Sequence, residues 1–265
     1  MYHHISPTAT NSGTMTPALF RAHLETLRHL NLPVISLVEL AAFLDGRRDL
    51  PPASVVLTFD DGYRSFYTRV FPELQAFQFP AAVFIIVRPT DRPETASPAL
   101  PHLSWEEMRE MVASGLVTVG SHTYDQHHFV ASPGGKTAPA LVSRAFLPGP
   151  NRGETVDEYE TRVLADFALA NRLIEENLLL APEFCAIPYG RYDSWLLRLV
   201  QMSGYRLVFT TRPGVVTRST DPWQIPRYNA GSETVSAAQL ENLLRTALDL
   251  PATANRNHLT TEDKR

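Results

Sequence analysis

Thr58-Phe59-Asp60-Asp61-Gly62 sets two adjacent carboxylates at the end of the apolar run Val55-Val56-Leu57. Neighbouring side chains of a strand point to opposite faces, so an Asp pair can share one site only where the strand ends and the backbone turns. Gly62 supplies that turn. Two carboxylates placed there can divide labour: one ligates a cation, and the other accepts a proton from water that the cation activates. An ordinary Asp-Asp-Gly turn needs no such chemistry, and a second cluster tips the balance between the two readings. His122, His127 and His128 follow the apolar run Leu116-Val117-Thr118-Val119, again at what reads as a strand mouth. Imidazole and carboxylate together suit zinc and other first-row divalent ions, and three protein ligands leave room for water and substrate. His122 and His127 stand five apart and His128 six from His122, whereas one helical face favours three or four. The segment is therefore expected to be a loop or irregular turn if His122 and His127 converge.

The elements that must position these side chains alternate between strand and helix. Apolar spacing predicts helices over 17–30, 37–44, 64–77, 105–114, 156–179, 194–203 and 237–248, and strands over 55–59, 81–87, 116–119, 184–187 and 207–210. Ser104 followed by Glu107 is a capping-box pattern for the helix at 105. Tyr159, Val163, Phe167, Ala170 and Ile174 form one apolar stripe that reads as core. Such alternation implies a parallel sheet or barrel. Between 131 and 155 the pattern fails: Pro133, Gly134, Gly135, Pro139, Pro148, Gly149, Pro150 and Gly153 predict a long loop, expected to border a substrate groove. One domain is expected over 1–250, with a polar, disordered tail over 251–265.

At 265 residues and 44% hydrophobic content, the chain can bury one sizeable core. A formal charge of −4 argues against a nucleic-acid surface. Cys185 is the single cysteine, so no internal disulfide can form, and its apolar neighbours predict a small buried side chain. No stretch is long and apolar enough to cross a membrane, and no secretory leader is visible in this chain. Tyr189, beside Pro188 and Gly190 at a strand end, and Tyr63 are substrate-binding candidates that could offer an aromatic face to a ligand.

The two motifs, Thr58-Phe59-Asp60-Asp61-Gly62 and Ser121-His122-Thr123 with the later His127, resemble those of the polysaccharide deacetylases with a NodB homology domain, carbohydrate esterase family 4. The common second motif of that family has histidines four apart, where this chain has Gln126. The departure, with Tyr2-His3-His4-Ile5, Thr16-Pro17-x-x-Phe20 and Ile187-Pro188-Tyr189-Gly190, is similar to the branch acting on poly-β-1,6-N-acetylglucosamine, the PgaB and IcaB proteins of biofilm formation. The similarity runs from Tyr2 to about Leu244.

The resemblance implies a distorted (β/α) barrel of the NodB type, with its site at the carboxyl ends of the strands. It implies Asp61, His122 and His127 as ligands of a divalent metal ion, zinc first and cobalt, nickel or iron as alternatives, and Asp60 as general base. The activity implied is metal-dependent removal of acetyl groups from N-acetylglucosamine units of an extracellular polysaccharide, β-1,6-linked. The alternatives are deacetylation of another acetylated glycan (chitin oligomers, peptidoglycan or an O-acetyl ester) or a non-catalytic carbohydrate-binding relative, and the location implied is extracytoplasmic or cell-surface. The family's third motif usually carries an Arg two residues before the Pro, where this chain has Ala186, so a partner for Asp60 is expected to be weaker or to come from elsewhere. Arg227 in Pro226-Arg227-Tyr228-Asn229 resembles a family position near the groove; it is grouped with the substrate-binding candidates and expected to stand one layer behind the residues that touch substrate. No late Leu-x-His motif is found, since His258 lies in the polar tail, which leaves the proton donor to the departing amine unassigned.

Overall fold

The computed structural model describes residues 1–8, 12–91, 100–133 and 135–250, so the tail expected over 251–265 lies outside the described residues. In chain order the strands are β1 (His4–Ile5), β2 (Thr14–Met15), β3 (Leu57–Phe59), β4 (Ala81–Ile85), β5 (Val117–Ser121), β6 (Phe129–Ala131), β7 (Thr137–Pro139), β8 (Phe146–Leu147), β9 (Arg152–Gly153), β10 (Phe184–Ala186) and β11 (Leu207–Phe209). The α-helices are α1 (Pro17–His29), α2 (Leu37–Leu44), α3 (Phe71–Phe77), α4 (Trp105–Ala113), α5 (Val156–Leu178), α6 (Ser194–Met202) and α7 (Ala237–Ala247).

Among the described residues, β11-β10-β5-β4-β3 form one sheet in that order, and every pairing in it is parallel. Its edges are drawn together by short contacts. Tyr2 bridges Phe59 at one edge, with Tyr2 N donating to the Thr58 carbonyl at 2.8 Å, and Ile225 bridges Phe209 at the other. Ala230 N and Gly231 N then donate to the Met1 carbonyl at 3.1 Å each, spanning the remaining gap. The result is a curled parallel sheet with helices outside it, a distorted (β/α) barrel.

Strand alternation sorts the core. Ala82, Phe84, Phe184, Ala186, Leu207, Phe209 and Ile225 pack together on one face. Leu57, Phe59, Ala81, Val83, Val117 and Val119 pack on the other against residues of α1, α3 and α4. Cys185 and Val208 meet the buried stripe of α5, with Tyr159, Val163 and Phe167. Such burial on both faces is what a parallel sheet requires.

Helix starts follow local chemistry. Ser36 with Glu39, Ser104 with Glu107, Thr155 with Glu158 and Ser236 with Gln239 all close reciprocal capping boxes. Two sequence expectations need correction. The helix expected over 64–77 begins as a π-helical turn, Phe66–Val70, before α3. Pro72 has no N–H for the Thr68 carbonyl, and Phe71 N instead reaches back five residues to the Phe66 carbonyl. The segment 131–155 is also not structureless: β6 pairs antiparallel with β7, and β8 with β9. Several of its prolines and glycines fall at the ends and turns of these ribbons. Gly153 approaches Pro133 so closely that an added Cβ would sit 2.4 Å from the Pro133 Cγ.

The turn after β3 tolerates little change. Gly62 has φ +75°, and a Cβ there would lie 2.9 Å from Cγ2 and 3.1 Å from Cα of Ile85. Gly62→Ala is expected to cost about 1–3 kcal/mol through strain and displacement of β4. Thermal unfolding measures it, and an unchanged midpoint would mean that the turn relaxes freely.

Candidate active site

Each chemistry-bearing side chain leaves the end of a parallel strand at the same rim of the barrel. Asp60 and Asp61 follow β3, His122 follows β5, and Pro188-Tyr189-Gly190 follows β10. Asp61 has φ +75° and Thr123 φ +75°, conformations uncommon outside glycine, and both adjoin the cluster. These left-handed residues turn the chain sharply, so the adjacent carboxylates of β3 need not point to opposite faces.

Asp61 Oδ1 lies 3.5 Å from His122 Nε2 and 3.4 Å from His127 Nε2. One ligand atom from each of the three residues falls within 4.8 Å of the others. His122 is buried, and its Nδ1 donates to the Ala186 carbonyl at 2.7 Å, which leaves the Nε2 lone pair facing Asp61. Burial pushes the His122 imidazole down to about 3 and lowers His127 as well, so both rings are neutral and able to ligate. Asp61 Oδ1 is buried without a hydrogen-bond partner. A buried, unpartnered carboxylate oxygen between two neutral imidazole nitrogens fits a cation and is costly without one. The triad is therefore a possible divalent-metal site. Burial raises the Asp61 carboxyl, against the pull of His3, while the negative charge of Asp60 pushes it further up.

Asp60 sits in a different environment. Arg227 grips it with two parallel bonds, Nη1 to Oδ1 at 2.7 Å and Nη2 to Oδ2 at 2.8 Å. Burial by itself would raise this carboxyl, but the guanidinium overrides it and holds Asp60 well below the usual carboxylate range. Arg227 also donates to the Thr210 carbonyl and the Thr58 hydroxyl, and lies 5.7 Å from the Phe84 ring centroid and 5.8 Å from that of Phe209. Its side chain is only 4% exposed. The charge of Arg227 is thus directed at Asp60, and its surface is covered by the core. The same pair answers where the partner of Asp60 comes from, given Ala186 in the third motif.

The tyrosines divide. Tyr63 is partly buried, and its phenol is raised by burial and by the neighbouring Asp61 carboxylate. Tyr189, with φ +58°, packs its ring 4.3 Å from His127 and 5.0 Å from Phe129. Tyr189 is 37% exposed and Phe129 55%, so the two rings present an aromatic surface to solvent beside the triad. Phe129 carries no sequence signal beyond its place after His128. His3 was also missed: its Nδ1 is buried with no partner, and it acts electrostatically on both Asp60 and Asp61. The resemblance of Tyr2-His3-His4-Ile5 gave His3 no role, and only the fold brings its charge to bear on the carboxylates of the β3 turn.

A curled parallel barrel with carboxylates and imidazoles converging at its carboxyl rim has the architecture of an α/β-barrel enzyme. The model of the family described as polysaccharide deacetylase matches residues 47–208, and the chain belongs to that family. It is 30% identical over 229 residues to the poly-beta-1,6-N-acetyl-D-glucosamine N-deacetylase of Escherichia coli (strain K12), covering 82% of this chain and 34% of that protein. The chain thus spans about a third of the length of that curated relative. Among solved structures, a de-N-acetylase from Aggregatibacter actinomycetemcomitans superposes with a TM-score of 0.80 at 26% identity, covering 91% of this chain and 97% of that one. IcaB from Ammonifex degensii superposes with a TM-score of 0.73 at 30% identity, covering 91% and 94%.

The Asp60–Arg227 pair has a defined pH signature. Asp60 titrates lower in the folded state than in the unfolded one, so the stability it contributes is present above about pH 4, the ordinary Asp range, and is lost as pH falls below it. Arg227→Met is expected to cost about 3–5 kcal/mol near neutrality by leaving a buried carboxylate unpaired, with Arg227→Lys intermediate. Unfolding midpoints across pH should show the gap to wild type narrowing below about pH 4. A gap independent of pH would assign the effect to packing.

Proposed function

We propose that residues 1–250 form the catalytic domain of a metal-dependent N-deacetylase, which removes acetyl groups from N-acetylglucosamine units of an extracytoplasmic polysaccharide, β-1,6-linked. One observation carries the reading: the unpartnered Asp61 Oδ1 faces two neutral imidazoles, beside a second carboxylate kept ionised by a buried guanidinium. The named activity of the Escherichia coli relative and the match to IcaB support the substrate class. Among the described residues, no helix is long and apolar enough to cross a membrane.

Asp61, His122 and His127 would hold the cation, with zinc the first choice and cobalt, nickel or iron compatible with the same donors. When bound, a divalent cation supplies Lewis acidity, which makes water acidic near neutral pH and polarises an acetyl carbonyl. Asp60 orients the attacking water and accepts its proton; each of its oxygens keeps a lone pair beyond the one that Arg227 occupies. The strength of the Arg227 grip makes Asp60 a weak base, suited to water that is already acidified. His3, with its buried and unpartnered Nδ1, is assigned as the proton donor to the departing amine. Tyr63, beside Asp61, is a candidate to contact the sugar. Tyr189 and Phe129 offer a sugar ring an apolar face, and the 131–155 segment borders the groove through the β6–β7 ribbon that carries Phe129.

Acetate release from acetylated β-1,6-glucosamine oligomers tests this reading. Asp60→Asn should lower kcat by about 10²–10⁴-fold, and chelation should abolish turnover until zinc or cobalt is restored. Release from β-1,4 oligomers at an equal or better rate would overturn the linkage, and no release from either with metal bound would overturn the deacetylase reading. Phe129→Ala should raise KM for oligomers several-fold while leaving kcat near wild type; a fall in kcat at constant KM would remove Phe129 from the substrate platform.

A further inference from the structure

The four residues between the two histidines of the triad, Thr123 to Gln126, belong to neither a helix nor a strand. Their backbone N–H groups are nevertheless all bonded, and every acceptor is a side chain. Thr123 N donates to Ser121 Oγ at 3.2 Å and Gln126 N to Thr123 Oγ1 at 3.0 Å. The other two go to a single carboxylate on α5: Tyr124 N to Asp166 Oδ1 at 2.8 Å and Asp125 N to Asp166 Oδ2 at 2.9 Å. Asp166 Oδ2 also accepts from the Gln126 side-chain amide at 3.3 Å. One helical turn earlier, Arg162 Nη1 donates to Gln126 Oε1 at 2.6 Å. Arg162 is itself held by Glu154, with Nε to Oε1 at 2.7 Å and Nη2 to Oε2 at 2.9 Å, and it donates to the carbonyls of Ala140 and Ser143.

From this arrangement we propose that Asp166, seconded by Arg162, is a positioning residue: it turns Gln126 inward and thereby presents His127, five residues after His122, to Asp61. The proposal rests on the cation-site reading above and deepens it. Asp166 and Gln126 are both 7% exposed, so their bonds compete little with water. Gln126 stands where the four-residue spacing would have put a histidine, yet its amide is consumed by Asp166 and Arg162 and points its polar atoms at α5. The ligand role therefore passes to the next residue. A carboxylate is suited to the task, because it is acceptor-only and can take three donors at once. An Asn offers one acceptor oxygen and sets an NH₂ against an N–H of the loop.

Cobalt(II) titration of the full chain, followed by visible absorption and by calorimetry, tests this without substrate. Asp166→Asn should weaken Co²⁺ binding by about 10–100-fold, the usual consequence of losing a group that orients a metal ligand, and should alter the absorption bands of the saturated protein. Asp166→Glu, which restores a carboxylate, should recover part of the affinity and shift the bands back towards wild type. Val163→Ala is the control for simple loss of stability, since Val163 is buried on the same helix but makes none of these bonds; it should lower the unfolding midpoint and leave the bands unchanged. Wild-type affinity and bands in Asp166→Asn would overturn the proposal while leaving the cation site standing. An equal loss in Val163→Ala would assign the effect to helix stability and also overturn it. No Co²⁺ binding by the wild type would overturn the cation-site reading and this proposal with it.

Discussion

The site depends first on one buried ion pair. Two carboxylates on consecutive residues cannot both stay ionised in a buried setting unless a positive charge is fixed beside them. Arg227 supplies it and distinguishes the two by contact. Asp60 receives the whole fork of the guanidinium and is held strongly acidic, while Asp61, left with a buried and unpartnered oxygen, is pushed the other way. Two identical side chains thereby acquire different chemistry. Desolvating Arg227 is offset by four hydrogen bonds and by the faces of Phe84 and Phe209, so it is both a charge and part of the core.

That pair also couples the site to barrel closure. Arg227 lies in the segment 225–231, which bridges β11 through Ile225 and reaches the Met1 carbonyl through Ala230 and Gly231. Thr58 and Asp60, its partners, stand at the opposite edge of the sheet on and beside β3. The contact that sets the ionisation of Asp60 therefore joins the two edges of a curled sheet across 167 residues of chain. Perturbing either the closure or the charge should disturb the other, because among the described residues no continuous strand ladder joins the two edges.

Much of the scaffold was legible in local sequence. The capping box at Ser104, the apolar stripe of α5 and the alternation of strand and helix rest on short-range chemistry that tertiary contacts do not override. The 131–155 segment was misread because glycine and proline mark turns without saying whether the residues between them pair. The π-helical turn was hidden because a single proline shifts a hydrogen-bond register while leaving the apolar pattern intact. The partner of Arg227 was not legible, because a motif carries a position but not the direction in which a side chain points.

By itself, the sequence determined the inventory and where it could be used: an Asp pair at a strand end, histidines at another strand mouth, and a spacing of five that no helix face accommodates. These follow from strand alternation and helical periodicity, which act over a few residues. The tertiary structure alone decided which carboxylate is gripped, which imidazole nitrogen is free, that Phe129 meets Tyr189, and that Asp166 bonds the loop between the histidines. Those outcomes depend on burial and on contacts between distant segments, and neither is a property of any short stretch of chain.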